Sequence, residues 1–87
     1  MDVEDVIKEM LINDIFVETP KDKMGGQDSL RDVFGLDSLG FLELRVLCEN
    51  HFRVEIDDDH FTPEYFSTIA GLSALIRRLQ AAPAKIG

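Results

Sequence analysis

In the stretch "GLDSLGFLELRVL", residues 35 to 47, one small hydroxyl residue, Ser38, stands at the head of an almost wholly apolar run. A serine beside an aspartate at a helix start commonly caps unpaired backbone N–H groups with its side-chain oxygen. The same position also suits an anion, because free N–H groups and the positive end of the helix dipole converge there. A phosphate ester on Ser38 would be electrostatically comfortable. Residue types alone favour the simple cap, so the ester needs support from the rest of the chain.

Other reactive combinations are weaker. Cys48 and His51 lie one helical turn apart, but with only His60 as a further histidine no dependable fourth ligand completes a structural metal site, and no metal is expected. "EIDDDHF" gathers acids without the spacing or central glycine of a calcium loop and reads as a solvated acidic turn. "GLDSLG" has leucine at residue 36, where a hydrolase nucleophile elbow needs glycine, and the chain has no room for the sheet that holds such an elbow. An independent enzyme is not expected.

The elements that must position Ser38 follow from periodicity. Val3, Val6, Ile7, Met10 and Leu11 share one helical face, with Asp2 as the expected cap and a fade near Phe16. "ETPKDKMGGQD" reads as loop. The 21 residues from Val17 to Asp37 are long for a structureless connection, so a turn or two of helix is expected at "DSLRDVF", capped by Asp28. A second helix spans about Ser38 to Phe52. "TPEYF" starts a small one, with Thr62 as cap and Pro63 at the first helical position.

A last helix begins near Thr68 and buries Ile69, Leu72, Leu75, Ile76 and Leu79, with Arg77 and Arg78 suiting its negative pole. "FRVEI" alternates weakly but has no partner strand. The expected fold is all-α: a small antiparallel four-helix bundle of three main helices and one short one, with a long first loop. It occupies residues 1–80, followed by a flexible tail at 81–87.

Composition bounds the partners. Eighty-seven residues make one domain with one core, able to bury about 60–65% of the unfolded surface. Seventeen Asp and Glu against nine Lys and Arg give a net charge of −8, which repels nucleic acid and anionic membranes and favours basic protein surfaces. The acidic start lacks the basic region of a secretory signal, and no apolar run approaches the ~20 residues that span a bilayer. A cytoplasmic monomer is expected. The single cysteine, Cys48, allows no internal disulfide, in keeping with a reducing compartment.

On a wheel of about 100° per residue, Phe41, Leu44, Cys48 and Phe52 form one face of the second helix, suited to the core. Leu39, Leu42 and Val46 form another, on the side of Ser38, bordered by Glu43, Glu49, Asn50 and Arg53. Either a later helix packs over Leu39 and Val46, or the stripe stays available to another protein or an attached group.

"GLDSLGFLELRVLCENHFRVEI" resembles the core of an acyl carrier protein. The likeness rests on Asp-Ser-Leu, the later pair Glu43 and Leu44, Phe52 closing the helix, and a short acidic segment ending in Ile56, and it extends over essentially the whole chain. The resemblance implies that Ser38 receives 4'-phosphopantetheine from coenzyme A through a separate phosphopantetheinyl transferase. The arm's thiol would then present an acyl thioester to acyl-loading and acyl-processing enzymes.

It further implies that Asp37 and Leu39 flank the arm. Leu39, Leu42 and Val46 would form the docking surface, with Glu43, Glu49, Asp57, Asp58, Asp59 and Glu64 meeting basic partner residues. Residues 37–66 hold eight acids and two bases, so most of the net charge lies there. Ser29, in a second Asp-Ser-Leu at residues 28–30, is excluded, because the Gly35 that follows ends any helix and no glutamate-leucine pair comes after it.

Gly40 stands where many fatty-acid carriers have an acid, and the later acid pair reads Glu49, Asn50. Peptidyl carriers usually have a glycine pair where this chain has Phe34, Gly35, Leu36. The likeness is therefore to discrete carriers of polyketide or related specialised pathways. The rival reading is a non-covalent helical interaction module in which Ser38 is only a cap.

Overall fold

The structure, a computed structural model, describes residues 2–81. Helix α1 spans Val3–Asn13, and all five apolar residues of its predicted face are buried. Asp2 stands just before it, as expected of a cap, but its carboxylate caps nothing. It pairs instead with the Arg77 guanidinium at 2.7 Å. That contact sets the start of α1 beside the end of the last helix, so the two run antiparallel.

Helix α1 stops three residues short of Phe16, because Phe16 itself is left-handed, with φ 65, and the Val17 N–H donates back to the Leu11 carbonyl at 2.8 Å. A non-glycine residue in that conformation costs about 1–2 kcal/mol.

The long connection from Asp14 to Asp37 is folded rather than slack. A short 3₁₀ turn at Lys21–Lys23 is tied to α1 by Lys21 and Glu9 at 3.0 Å, and that carboxylate holds the lysine pKa above its ordinary value. Met24, Leu30, Phe34 and Leu36 are buried, so the connection supplies part of the core.

"DSLRDVF" forms consecutive turns, not a helix. The Val33 N–H donates to the Ser29 carbonyl at 2.9 Å, and the Gly35 N–H to the Arg31 carbonyl at 3.1 Å. The expected cap, Asp28, turns back to accept from the Gly25 N–H at 2.9 Å, while the Ser29 hydroxyl accepts from the Asp32 N–H at 2.9 Å. An isolated bridge joins Ser29 to Thr68, and Leu30 N–H and Ala70 N–H reach the Ser67 and Gly26 carbonyls, each at 2.8 Å. Those cross-links compete with helix formation and win.

Helix α2 spans Ser38–Phe52, the predicted range, α3 is the single turn Pro63–Phe66, and α4 runs over Ile69–Ala81. The Thr68 hydroxyl accepts from the Gly71 N–H at 3.0 Å and so opens α4. Thr62 precedes α3 but makes no side-chain cap; its buried hydroxyl has no partner among the described groups. The expected tail lies, from residue 82 onward, outside the described residues.

The result is an all-α bundle in which α4 is central, packed against α1 and α3 and more lightly against α2. Ile69, Leu72, Leu75 and Ile76 are buried as expected, and Leu79 packs at the margin. From α2 only Leu44 and Cys48 are buried; Phe41 and Phe52, expected in the core, are half covered. With so narrow a stripe fully buried, Leu39, Leu42 and Val46 are left facing outward. No helix among the described residues is long and apolar enough to cross a membrane.

Burial pushes the Cys48 thiol up to about 12, with the charge of Glu49 adding to the effect. The thiolate forms first in the unfolded chain, so this contribution to stability is whole below the ordinary 9.0 and is lost as pH rises from there toward 12. Urea titrations should show stability falling faster over that window in the native sequence than in Cys48→Ala. A thiol reagent at about pH 8 should find no reactive group in the folded chain and one after unfolding.

Candidate functional site

The start of α2 is built by three successive residues. Gly35, at φ +75, turns the chain, buried Leu36 anchors it, and Asp37 enters the helix in extended conformation. The Asp37 carboxylate accepts from the Gly40 N–H at 2.8 Å, which makes Asp37 the cap. Ser38 is therefore the first helical residue and not the cap that residue types alone favoured. It is exposed, and no described group engages its hydroxyl. The Phe41 N–H reaches the Asp37 carbonyl at 2.9 Å, so within this first turn the amides of Ser38 and Leu39 are left without an intrahelical acceptor.

Gly40 now has a local reason. A Cβ there would lie 3.3 Å from Leu36 Cγ and 3.4 Å from Asp37 Oδ1. Absence of a side chain lets the capping carboxylate and the buried leucine close over the first turn, offsetting the roughly 1 kcal/mol that glycine costs a helix interior.

Beyond Ser38 the second face of α2 is bare. Leu39, Leu42 and Val46 are 74%, 47% and 51% exposed, so no later helix covers them. On the other side, Ser38 and Leu42 border an open groove of about 570 Å³ whose apolar wall is Phe41, Phe61, Pro63 and Phe66. Phe61 and Phe66 meet edge to face at 4.9 Å, and the guanidiniums of Arg45 and Arg31 lie over the rings of Phe61 and Phe41 at 4.9 Å and 5.8 Å. Nothing in the sequence reading marked Phe61 or Phe66 as site residues. The available signal was the pair of aromatics bracketing "TPEY", which a one-turn helix must present together.

The acids singled out for docking separate into two groups. Glu43, Asp59 and Glu64 are exposed, with no ion-pair partner among the described residues. The others are engaged within the fold. Asp58 pairs with Arg45 at 3.0 Å, and Asp57 accepts from the His60 N–H at 3.1 Å and sits 2.7 Å from its Nδ1. Glu49 is half-buried and accepts from the Ile56 N–H at 2.8 Å, which fastens the segment after α2. Its carboxylate takes part in the fold's own hydrogen bonding.

Because the cap is Asp37, Asp37→Ala should lower stability by about 1 kcal/mol, whereas Ser38→Ala should leave the thermal midpoint nearly unchanged. Parallel thermal melts check this; the reverse order would restore Ser38 as the cap.

No curated protein matches the chain significantly. The family model for a phosphopantetheine attachment site matches residues 10–76, from the last turn of α1 through most of α4 and across the whole serine-bearing region. Members of that family are carriers and not catalysts: they hold 4'-phosphopantetheine covalently on a serine and serve phosphopantetheinyl transferases and acyl-processing enzymes. An exposed hydroxyl at a helix start, beside an apolar groove and a bare apolar face, fits that task, and with the match covering more than half its length the chain belongs to the phosphopantetheine-attachment family of carrier domains.

Proposed function

We propose that Ser38 is the serine that carries the arm, and that the domain presents acyl thioesters in polyketide or another specialised biosynthesis. The observation that supports this most strongly is the division of labour at the start of α2, where Asp37 caps and Ser38 is left exposed with its hydroxyl unengaged. Ser29, the serine of the other Asp-Ser-Leu, has its hydroxyl tied to the Asp32 N–H.

In loading, Ser38 Oγ attacks the β-phosphorus of coenzyme A. An O–P bond forms, the pyrophosphate P–O bond breaks, and adenosine 3',5'-bisphosphate leaves. A serine hydroxyl is a weak nucleophile until a base or metal activates it, and the transferase supplies both. The carrier's contribution is position: the dipole of α2 and the free amides of Ser38 and Leu39 favour the phosphodiester. When bound, the arm supplies a thiol that holds acyl groups as thioesters. The groove along Phe41, Phe61 and Phe66 is apolar surface within reach of a group tethered at Ser38.

Docking centres on Leu39, Leu42 and Val46, with the exposed Glu43, Asp59 and Glu64 meeting basic partner residues and Asp57 and Asp58 adding field more than contacts. The specialised-pathway reading draws on Gly40, which leaves the first turn of α2 without an acid, and on Asn50 following Glu49.

Incubation with coenzyme A and a broad-specificity transferase should add the mass of one phosphopantetheine group. Ser38→Ala should abolish the gain and Ser29→Ala should not. A folded chain that gains no mass would leave the non-covalent module as the better reading. Charge reversal separates the two kinds of acid. Glu43→Lys should slow loading severalfold with stability unchanged, whereas Glu49→Lys should cost about 1–3 kcal/mol by stranding the Ile56 N–H, read by urea titration.

A further inference from the structure

Among the described residues, three of the five large apolar side chains left exposed, Phe16 at 78%, Val33 at 53% and Leu39 at 74%, line a single open groove of about 530 Å³. The groove lies between the end of α1, the long connection and the start of α2, and Asp32 lines both it and the aromatic groove at α3. Phe16 is its most unusual member. It occupies the left-handed position after a helix, where glycine or asparagine is the usual choice, and no packing of the ring offsets the strain.

The charged side chains around the groove settle what kind of occupant suits it. Glu18, Asp32 and Glu43 are exposed along it, and none of its described lining residues is basic. Coenzyme A, a polyanion, would be repelled there; a protein surface bearing an apolar residue among lysines or arginines would be held. Leu39 belongs both to this groove and to the bare face of α2, and it directly follows Ser38, so an occupant here is brought up to the reacting hydroxyl.

We propose that this groove is a docking surface for a basic, apolar-tipped segment of the transferase that loads Ser38, with Phe16 and Val33 as its anchors. The proposal rests on the carrier reading and extends the contact surface from α2 to the end of α1. A side chain held in strain and in water at once is thereby given a partner that repays both.

The test uses the full chain, coenzyme A and a broad-specificity phosphopantetheinyl transferase, with loading rates measured against carrier concentration. Phe16→Gly, which suits the left-handed backbone, should melt no lower than the native chain yet raise KM for the carrier about tenfold, the effect of losing one anchor, with kcat unchanged. Phe16→Asn, equally tolerant of that backbone, should do the same, and Val33→Ser should add to it. Glu18→Lys with Asp32→Lys should weaken loading at low salt and flatten its salt dependence.

Native KM in both Phe16 variants, or a lowered melting point in both, would overturn the proposal. The second result would make Phe16 an ordinary packing residue. If the native chain is not loaded at all, it is the carrier reading that fails.

Discussion

The start of α2 is held by one hydrogen bond, from the Gly40 N–H to the Asp37 carboxylate at 2.8 Å. A helix start needs an acceptor for its unpaired amides, and a short polar side chain one residue before the first helical position reaches them best. Because aspartate fills that role, the following serine has no structural duty and stands exposed at the positive end of a fifteen-residue helix. Gly40 belongs to the same arrangement, since a Cβ there would press on both Leu36 and the capping carboxylate.

The architecture keeps that end accessible by letting other segments build the core. The long connection contributes Met24, Leu30, Phe34 and Leu36 to the interior and is cross-linked to the start of α4 through Gly26, Ser29 and Leu30. With those residues inside, α2 need commit only Leu44 and Cys48. Phe41, Leu47 and Phe52 pack at the core's margin, and Leu39, Leu42 and Val46 are left exposed. A chain this short cannot cover every face it makes, and here the uncovered faces surround Ser38.

Charge follows the same division. Several acids of residues 37–66 hold the fold together locally, through Arg45, His60 and the Ile56 amide, while Glu43, Asp59 and Glu64 remain for the long-range field. A net charge of −8 steers basic partners toward the domain as a whole, but only side chains with no internal partner can form close contacts cheaply.

Much of this was legible from residue order. Helical period marked α1, α2 and α4, Pro63 marked α3, and the order, size and acidity of the elements with "GLDSLGFLEL" pointed to a carrier. Those signals are local or compositional, and tertiary contacts seldom override them. Which side chain bonds to which backbone group was not legible. Asp2, Asp28 and Thr62 look like caps by type, yet Asp2 turns to Arg77, Asp28 to Gly25, and Thr62 bonds to nothing described. Glu49 looks like a surface acid and is bound to Ile56.

The sequence by itself determined the helices, the acidity and the serine at the head of α2, because each depends on neighbours within a few residues. Only the tertiary structure decided that Asp37 rather than Ser38 is the cap, that Leu39 and Val46 stay bare, and that Phe61 and Phe66 wall a groove at the serine. The cap is a bond between neighbours whose direction residue types leave open, since Asp37 and Ser38 are both good caps; the bare face and the groove turn on which distant segments fill the interior.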